Sequence, residues 1–237
     1  MAGAAAVVAV SRALGAQARV LSPRIGRLET IHNGYTPAHS TLLERDELNN
    51  RLGWRLPSEF AVLVGNCRRY KGPDIALQAW AQLAAEGSRL SLLIVGGGPD
   101  LDAMRALCNE LDLDDRVHFT GPRSRHVATS LTALATLQVA PSRNEGQGIV
   151  ILEAGYYGTP VICSDIPPFL EMVDAGTDAA VFPAGNAGAL AQQVEAFLAD
   201  REAARATAQH LRARVQEEFT CAAMVRRYLD LYRSVLD

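Results

Sequence analysis

The sequence predicts an α/β fold built on a doubly wound parallel sheet with helices on both faces. From residue 61 onward, short β-branched segments alternate with segments of helix length, the pattern of repeated strand–helix units. The predicted strands are apolar almost throughout, as strands covered on both faces are. The segments between the first five strands are long enough to cross the sheet, and parallel strands require such crossovers.

Composition places the chain among folded proteins and excludes several classes. The 237 residues carry 23 Lys and Arg against 26 Asp and Glu, a net charge of −3, which is not the balance of a nucleic-acid-binding protein. Hydrophobic residues make up 49% of the chain, enough for a substantial core. No run of about eighteen apolar residues occurs, so no membrane-spanning helix is predicted.

Cysteine usage points to a reducing compartment, and we expect the protein to be cytoplasmic. The four cysteines are widely scattered and form no CxxC pair, so neither a disulfide framework nor a structural zinc site is predicted. The five histidines show no metal-ligand spacing.

The N-terminal region predicts a separate strand–helix–strand unit. Residues 5–10 are a strand candidate, Arg12 to Leu21 a short helix, and Leu28 to His32 a strand that ends in the turn signal Asn33-Gly34. The apolar start MAGAAAVVAV also permits a signal peptide, and the early arginines an organellar transit peptide. A buried parallel strand is favoured over both. The polar stretch from residue 37 to 57 predicts a connector with one short helix.

Six strands are predicted after this connector: 61–66, 90–96, 117–121, 136–140, 160–165 and 180–183. A helix follows the first strand at 74–86, and Asp100 is placed to cap the helix after the second. After Asn186 the chain is Ala-rich and predicted helical through Glu218, before a final helix. That last helix carries an apolar stripe expected to lack a covering partner: Met224, Tyr228, Leu231 and Val235.

The loop after the first predicted strand places three cations in four positions beside two glycines. These are Arg68, Arg69 and Lys71, within the segment Gly65–Gly72. In a parallel sheet, ligands bind beyond the carboxyl ends of the strands, where this loop lies. The loop therefore suits a phosphate or diphosphate, although a solvated basic turn explains the same residues equally well.

The loop after the second strand contains three consecutive glycines but does not match a dinucleotide fingerprint. Gly96-Gly97-Gly98 is followed by Pro99 and Asp100, so the third glycine of GxGxxG is absent. A tight turn that lets the backbone approach a ligand is the better interpretation. A Rossmann oxidoreductase is therefore disfavoured.

The loop after the fourth strand, residues 141–148, leads into a helix over 149–157 and predicts a second anion site. Its glycines permit a sharp turn, and a helix N-terminus attracts negative charge. Glu145 lies on this loop and Glu153 lies within the helix. A buried glutamate in an apolar helix needs a partner, and a ligand hydroxyl or a salt bridge would each supply one.

The segment PSRNEGQGIVILEAGYYGTPVI, with Glu145 and Glu153 separated by seven residues, resembles the signature of retaining glycosyltransferase family 4, of GT-B fold. Further segments are similar to that family in order and spacing: VGNCRRYKGPDIALQAW, IVGGGP, VHFTGP, DIPPFLEMV and FTCAAMVRRYLDLY. AVVAVSRAL and IHNG resemble the last strand and helix of the family's N-terminal domain and its linker. The resemblance implies a Rossmann-like donor-binding domain, the C-terminal half of a GT-B fold.

The resemblance also implies roles for individual residues. Lys71 matches the lysine that holds the donor diphosphate, Glu145 the glutamate beside the donor sugar, and Glu153 the glutamate that binds ribose hydroxyls. The segment Phe119–Pro122 matches the region that reads the base. The donor-binding residues implied in this way are Asn66, Arg68, Arg69, Gly121, Gly146, Gln147, Gly148, Ile149 and Glu153, with Lys71 and Glu145 as the catalytic pair.

Two of these positions depart from the family pattern. Asn66 replaces an arginine, whose charge Arg68 or Arg69 could supply, and Gln147 replaces a common phenylalanine, which could alter donor preference.

The resemblance implies that most of the acceptor-binding half is missing from this chain. We expect residues 1–36 to be a remnant of that half with the linker, 37–58 a connector, and 59–237 the donor-binding domain with its C-terminal helix. The implied activity is transfer of a hexose from a nucleotide-diphosphate sugar to an acceptor hydroxyl with retention of configuration. The alternatives are a non-catalytic nucleotide-sugar-binding subunit, a fragment of a split transferase, or a truncated gene model. A related GT-B epimerase is disfavoured.

The expected partners follow from this interpretation. They are the nucleotide sugar and a separate acceptor-binding half or a second copy, with peripheral membrane contact only through the missing half and no nucleic acid. No cofactor or metal is expected. Asp100-Leu101-Asp102 and Asp112-Leu113-Asp114 match the DxD spacing of metal-dependent transferases, but both flank a helix away from Glu145, where capping and solvation explain them better.

Overall fold

The computed structural model describes residues 4–37 and 41–236, which form two parallel sheets. The strands are β1 (Val7–Ala9), β2 (Leu28–Thr30), β3 (Phe60–Val64), β4 (Ser91–Val95), β5 (Val117–Gly121), β6 (Leu137–Ala140), β7 (Val161–Ser164) and β8 (Ala180–Phe182). The helices are α1 (Arg12–Leu21), α2 (Arg45–Leu52), α3 (Pro73–Ala85), α4 (Leu101–Glu110), α5 (Arg125–Leu134), α6 (Ile149–Tyr157), α7 (Pro167–Leu170), α8 (Ala187–Ala199), α9 (Arg201–Glu218) and α10 (Cys221–Leu236). None of these helices is long and apolar enough to cross a bilayer.

The larger sheet has the order β5-β4-β3-β6-β7-β8 with every neighbouring pair parallel, which confirms the predicted doubly wound fold. The chain proceeds outward from β3 to β4 and β5, then returns to place β6 on the other side of β3. This reversal creates a topological switch point between β3 and β6, where a crevice opens at the carboxyl ends of the strands.

Alternate residues of the central strands enter different hydrophobic cores, as a sheet covered on both faces requires. On β3, Ala61 and Leu63 pack with α3, whereas Phe60 and Val62 pack with α5. The second of these cores also includes four buried leucines from the predicted connector: Leu43, Leu48, Leu52 and Leu56. The connector is therefore packed against the six-stranded sheet.

The predicted Ala-rich helix after Asn186 is two helices, so the prediction of one continuous helix was wrong. Asp200 separates α8 from α9, and its carboxylate accepts a hydrogen bond from the Ala203 amide at 3.0 Å. An aspartate at an N-cap starts a new helix by satisfying a free amide of its first turn. The break lets α9 turn back and pack against α6, where Gly155 contacts Leu211.

The stripe Met224, Tyr228, Leu231 and Val235 was expected to lack a partner, and this expectation was wrong for most of it. Leu231 is buried, Met224 and Tyr228 are half-buried, and only Val235 is exposed. The start of α10 packs on Gly34 of the linker, so the chain's own N-terminal region covers this face. Besides Val235, four large apolar residues of α10 are exposed and form an adjacent stripe: Val225, Leu229, Tyr232 and Leu236.

Glu171 joins the smaller sheet to the larger domain. Its two carboxylate oxygens accept hydrogen bonds from the Arg12 and Ala13 amides at 2.7 and 2.8 Å, so it caps α1 from another part of the chain. His32 Nε2 lies 3.1 Å from the same carboxylate. Burial acts to raise the pKa of Glu171, but these hydrogen bonds together outweigh it and hold the pKa below its ordinary value.

Gly72 brings the two central loops into contact, and its replacement by alanine should be unusually costly. Gly72 has φ +74°, and a Cβ there would lie 2.0 Å from the Pro141 carbonyl oxygen. Gly53 is a matched control, because its φ is +79° and a Cβ there would meet nothing within 4 Å. We expect Gly53→Ala to cost about 1 kcal/mol from backbone strain alone. Gly72→Ala should cost about 3 kcal/mol by denaturant unfolding, and equal losses would contradict the close contact.

The Glu171 cap predicts an acid-dependent loss of stability. Since its folded pKa lies below the ordinary value near 4.5, the stabilisation is complete above that value and disappears as the pH falls through the folded pKa. Glu171→Gln should lower the free energy of unfolding by about 2 kcal/mol at pH 7 and by progressively less in acid. Glu47→Gln, which removes an exposed pair with Arg51, is the control. A pH-independent Glu171→Gln effect would refute the assignment.

Candidate functional site

The loops that follow β3 and β6 meet at the switch point and bring Lys71 to Glu145. Lys71 Nζ lies 2.5 Å from Glu145 Oε1, although the two residues are 74 positions apart in the chain. The side chains are 19% and 9% exposed, so the ion pair is largely shielded from water. Lys71 is also the only lysine among the chain's 23 basic residues.

The Lys71 loop is held by a short 3₁₀ turn over Arg69–Lys71 and by Asp100. Asp100 occupies the N-cap position of α4 but makes no side-chain cap there, so the expectation that it caps this helix was wrong. Its carboxylate instead accepts a hydrogen bond from the Arg69 amide at 2.8 Å. The first aspartate of one DxD match therefore supports the loop that carries Lys71.

The Glu145 carboxylate is oriented by the Ser142 hydroxyl, and Ser164 in turn holds the backbone of Ser142. Ser142 Oγ donates to Glu145 Oε1 at 2.9 Å, and Ser164 Oγ donates to the Ser142 carbonyl at 2.5 Å. Both serines are buried. Their buried hydroxyl groups are satisfied within the loop, which fixes Glu145 at its position.

A second ion pair joins the same two loops. Arg143 makes a bidentate contact with Asp74, with both N–O distances at 2.8 Å, and its Nη1 also donates to the Arg69 carbonyl at 2.7 Å. Hydrogen bonding to Asp74 raises the pKa of Arg143 above its ordinary value, against the opposing effect of burial. Arg143 and Asp74 were not identified from the sequence, since their pairing is a contact between distant segments.

Helix α6 begins where the Glu145 loop ends, so its N-terminus lies at the same edge of the larger sheet as the Lys71–Glu145 pair. Gly148 precedes the helix with φ +101°, and a Cβ there would lie 2.5 Å from the Phe169 ring, so only glycine fits. Gly146 is open apart from Val10 at 3.8 Å, and Ile149 is 40% exposed. The amides of a first helical turn have no intrahelical acceptor and can bind an anion.

Glu153 has a salt-bridge partner within the chain. Arg125 Nη2 donates to Glu153 Oε1 at 3.1 Å, and the Glu153 side chain is 13% exposed. Burial raises the pKa of Glu153, and Arg125 offsets this effect only in part. The Arg125 guanidinium also lies 5.7 Å from the centroid of the Tyr35 ring, so Arg125 connects the middle of α6 to the linker.

The Gln147 side chain is directed away from the crevice. Its amide oxygen accepts from the Asn33 amide at 2.7 Å, and its amide nitrogen donates to the Asn33 carbonyl at 3.0 Å. Gln147 is 3% exposed. Glu145 and Gln147 therefore connect one loop to the lysine on one side and to the linker on the other.

The remaining predicted donor-binding residues line the same edge of the sheet. Asn66, Arg68 and Arg69 are exposed on the Lys71 loop, and the guanidinium groups of both arginines have no ion-pair partner within the described ranges. Gly121 ends β5 with φ +68° in open space. Across residues 4–37 and 41–236, no group of three His, Cys, Asp or Glu side chains could hold a metal ion.

Comparison with known proteins identifies the family. The family model for glycosyl transferases group 1 matches residues 44–214. Among curated relatives, an alpha-D-kanosaminyltransferase of Streptomyces kanamyceticus is 29% identical over 92% of this chain and 56% of its own length. A D-inositol 3-phosphate glycosyltransferase of Nocardioides sp. is 35% identical over 87% of this chain and 48% of its own. The chain thus spans about half the length of such relatives.

Solved structures show the same fold. Sucrose-phosphate synthase from Thermosynechococcus elongatus matches with a TM-score of 0.82 and 28% identity, over 98% of this chain and 58% of that one. The C-terminal domain of a glycosyl transferase group 1 protein from Francisella tularensis matches with a TM-score of 0.65 and 17% identity, over 75% of this chain and 93% of that one. With a Rossmann-like GT-B fold and a family match over most of its length, the chain belongs to the glycosyl transferases group 1 family.

Proposed function

We propose that this chain is the donor-binding half of a retaining hexosyltransferase that uses a nucleotide-diphosphate sugar. The observation that carries the proposal is the shielded Lys71–Glu145 pair at the switch point, beside the N-terminus of α6. A lysine and a helix N-terminus at one edge of the sheet supply the positive charge that a diphosphate needs. Arg68 and Arg69 lie on the same edge and add to this charge.

In the proposed reaction, the bond between the anomeric carbon and the diphosphate breaks, and its electron pair leaves on the phosphate oxygen. The acceptor hydroxyl attacks the same face of an oxocarbenium-like sugar and gives its proton to the departing phosphate. A cation about 4 Å from the developing charge is worth roughly 4 kcal/mol at an effective dielectric near 20. Lys71 would therefore account for about a hundred- to a thousandfold in rate.

The other residues of the site hold the rest of the donor. In this proposal Glu145, which Ser142 orients, accepts hydrogen bonds from the donor sugar. Glu153 accepts from ribose hydroxyls, and the segment Phe119–Pro122 contacts the base through its backbone. The diphosphate charge is met by Lys71 and backbone amides, so the proposal invokes no metal or cofactor.

Transfer also requires an acceptor-binding half, which we propose completes the smaller sheet. Within the described part of the chain that sheet has two three-residue strands, and a two-stranded sheet is marginally stable by itself. The exposed stripe Val225, Leu229, Tyr232 and Leu236 of α10 offers apolar surface for a covering partner. The half could belong to a longer polypeptide or to a separate chain. Any membrane contact is assigned to that half.

The same exposed stripe favours a second candidate function, a non-catalytic nucleotide-sugar-binding subunit. Such a subunit would bind the donor as proposed but would not transfer the sugar, even with its partner present. Localisation in the cytoplasm fits either function, because all four cysteines are free and three of them are buried as thiols.

Replacement of Lys71 tests the proposal. A nucleotide at about 100 times its dissociation constant should stabilise the wild type by roughly 2.7 kcal/mol, read as a shift in Tm with UDP, GDP, ADP and their hexose conjugates. Lys71→Ala should abolish the shift and leave the fold intact. Arg205→Ala, an exposed change on α9, should retain it. An undiminished shift in Lys71→Ala would rule out Lys71 as the diphosphate ligand.

Glu153→Gln should raise the stability of the protein at pH 7 and lower its affinity for nucleotide. Burial raises the pKa of Glu153, so the ionised group costs stability at pH 7. The variant should therefore be more stable than the wild type at pH 7, and the difference should shrink as the pH falls through the raised pKa. Its affinity for a ribonucleoside diphosphate should drop about tenfold.

A matched ligand and a matched variant sharpen this second test. A 2′,3′-dideoxynucleoside diphosphate should bind the wild type and Glu153→Gln equally, since neither can use the missing hydroxyls. Glu217→Gln, at an exposed position of α9, should change neither property. Equal loss of affinity for both ligands would show that Glu153 does not contact the ribose.

A further inference from the structure

The two loops of the site are connected by two ion pairs of opposite polarity. The segment after β3 carries the positive Lys71 and the negative Asp74. The loop after β6 carries the positive Arg143, which pairs with Asp74, and the negative Glu145, which pairs with Lys71. Each segment therefore presents one charge of each sign to the other. A bound diphosphate would compete for Lys71, whereas the Arg143–Asp74 pair does not involve the lysine and can persist.

The guanidinium group of Arg143 makes several hydrogen bonds between the two loops that a lysine amine could not all make. Its guanidinium contacts both oxygens of Asp74 and the Arg69 carbonyl, while its backbone amide donates to the Tyr70 carbonyl at 2.7 Å. The planar guanidinium fork matches a carboxylate in two parallel hydrogen bonds. The contacts reach Asp74 on one side of Lys71 and Arg69 and Tyr70 on the other.

Asp74 provides a rigid anchor for this fork. It lies in the first turn of α3, where a negative charge is favourable, and its side chain is only 9% exposed. Arg143 stands two residues before Glu145 in the chain. A shift of the guanidinium would therefore displace the Glu145 loop relative to the Lys71 loop.

We propose that Arg143 is a positioning residue that keeps Lys71 and Glu145 in register through its bidentate contact with Asp74. This deepens the proposed function, on which the consequence for donor binding rests. We expect Arg143 not to contact the donor, because its guanidinium is hydrogen-bonded to Asp74 and to the Arg69 carbonyl.

The single lysine makes the proposal directly measurable. Because Lys71 is the only lysine, acetylation by acetic anhydride reports on one side-chain amine, followed by peptide mass spectrometry against an added reference peptide. The wild-type amine, paired with Glu145 and 19% exposed, should react slowly. Arg143→Gln and Asp74→Asn should each raise the relative rate about tenfold, the effect expected for loss of one charged hydrogen-bonded pair. The double variant should react no faster than either single variant.

Arg201→Gln is the matched control. Arg201 makes a comparable two-nitrogen contact with Glu59 on another part of the surface, and its side chain is 40% exposed, as is that of Arg143. It should leave the acetylation rate of Lys71 unchanged even if it lowers Tm. Arg143→Lys keeps the charge without the fork but adds a second lysine, so its acetylation is read only on the peptide that contains Lys71. Lys71 should react there at an intermediate rate, and this variant serves if Arg143→Gln does not fold. Equal rates in Arg143→Gln, Arg201→Gln and the wild type would overturn the proposal.

Measuring nucleotide affinity as well distinguishes a failure of this inference from a failure of the proposed function. With a nucleotide that binds the wild type, Arg143→Gln should weaken affinity about tenfold, whereas Arg201→Gln should leave the affinity unchanged even if both variants lower Tm. If none of UDP, GDP, ADP or their hexose conjugates binds the wild type, the proposed function fails. The acetylation rates would still decide whether Arg143 positions Lys71.

Discussion

The reversal of strand order between β3 and β6 is the constraint on which this site depends. Two strands that neighbour one another in space, but not in sequence, send their loops into one crevice. Lys71 and Glu145 meet there across 74 positions of chain. The close approach of Gly72 to Pro141 is a further consequence of this geometry, whereas Asp100 reaches the Lys71 loop from β4, the neighbour of β3 on its other side.

The Glu145 loop, the start of α10 and the end of α7 together determine how the smaller sheet is placed. The Glu145 loop is hydrogen-bonded to the linker through Gln147 and Asn33. The start of α10 packs on Gly34, and Glu171, at the end of α7, caps α1. These contacts are polar or involve backbone at close range, so they constrain orientation more than an apolar face would. The loop that carries Glu145 is therefore in direct contact with the linker that follows the smaller sheet.

Features that local sequence patterns encode, above all the strands of the larger sheet, could be predicted from the sequence. Apolar, β-branched segments marked all six strands of the larger sheet, since burial on both faces leaves a continuous apolar run. The sequence did not predict that Arg125 pairs with Glu153, that Asp100 reaches Arg69, or that Arg143 pairs with Asp74. Each of these is a tertiary contact between distant segments, and residue type and spacing do not encode such partners. The covered stripe of α10 was missed for the same reason.

The most direct test of the account observes the Lys71 amine while nucleotide is added. In protein labelled with ¹³C and ¹⁵N in lysine, the one lysine gives a single side-chain ammonium signal, recorded during titration with UDP, GDP, ADP and their hexose conjugates. Under the proposed function, one nucleotide should shift this signal saturably as the diphosphate replaces Glu145 as the partner of Nζ. A folded protein whose lysine signal stays unchanged across the whole series would contradict it.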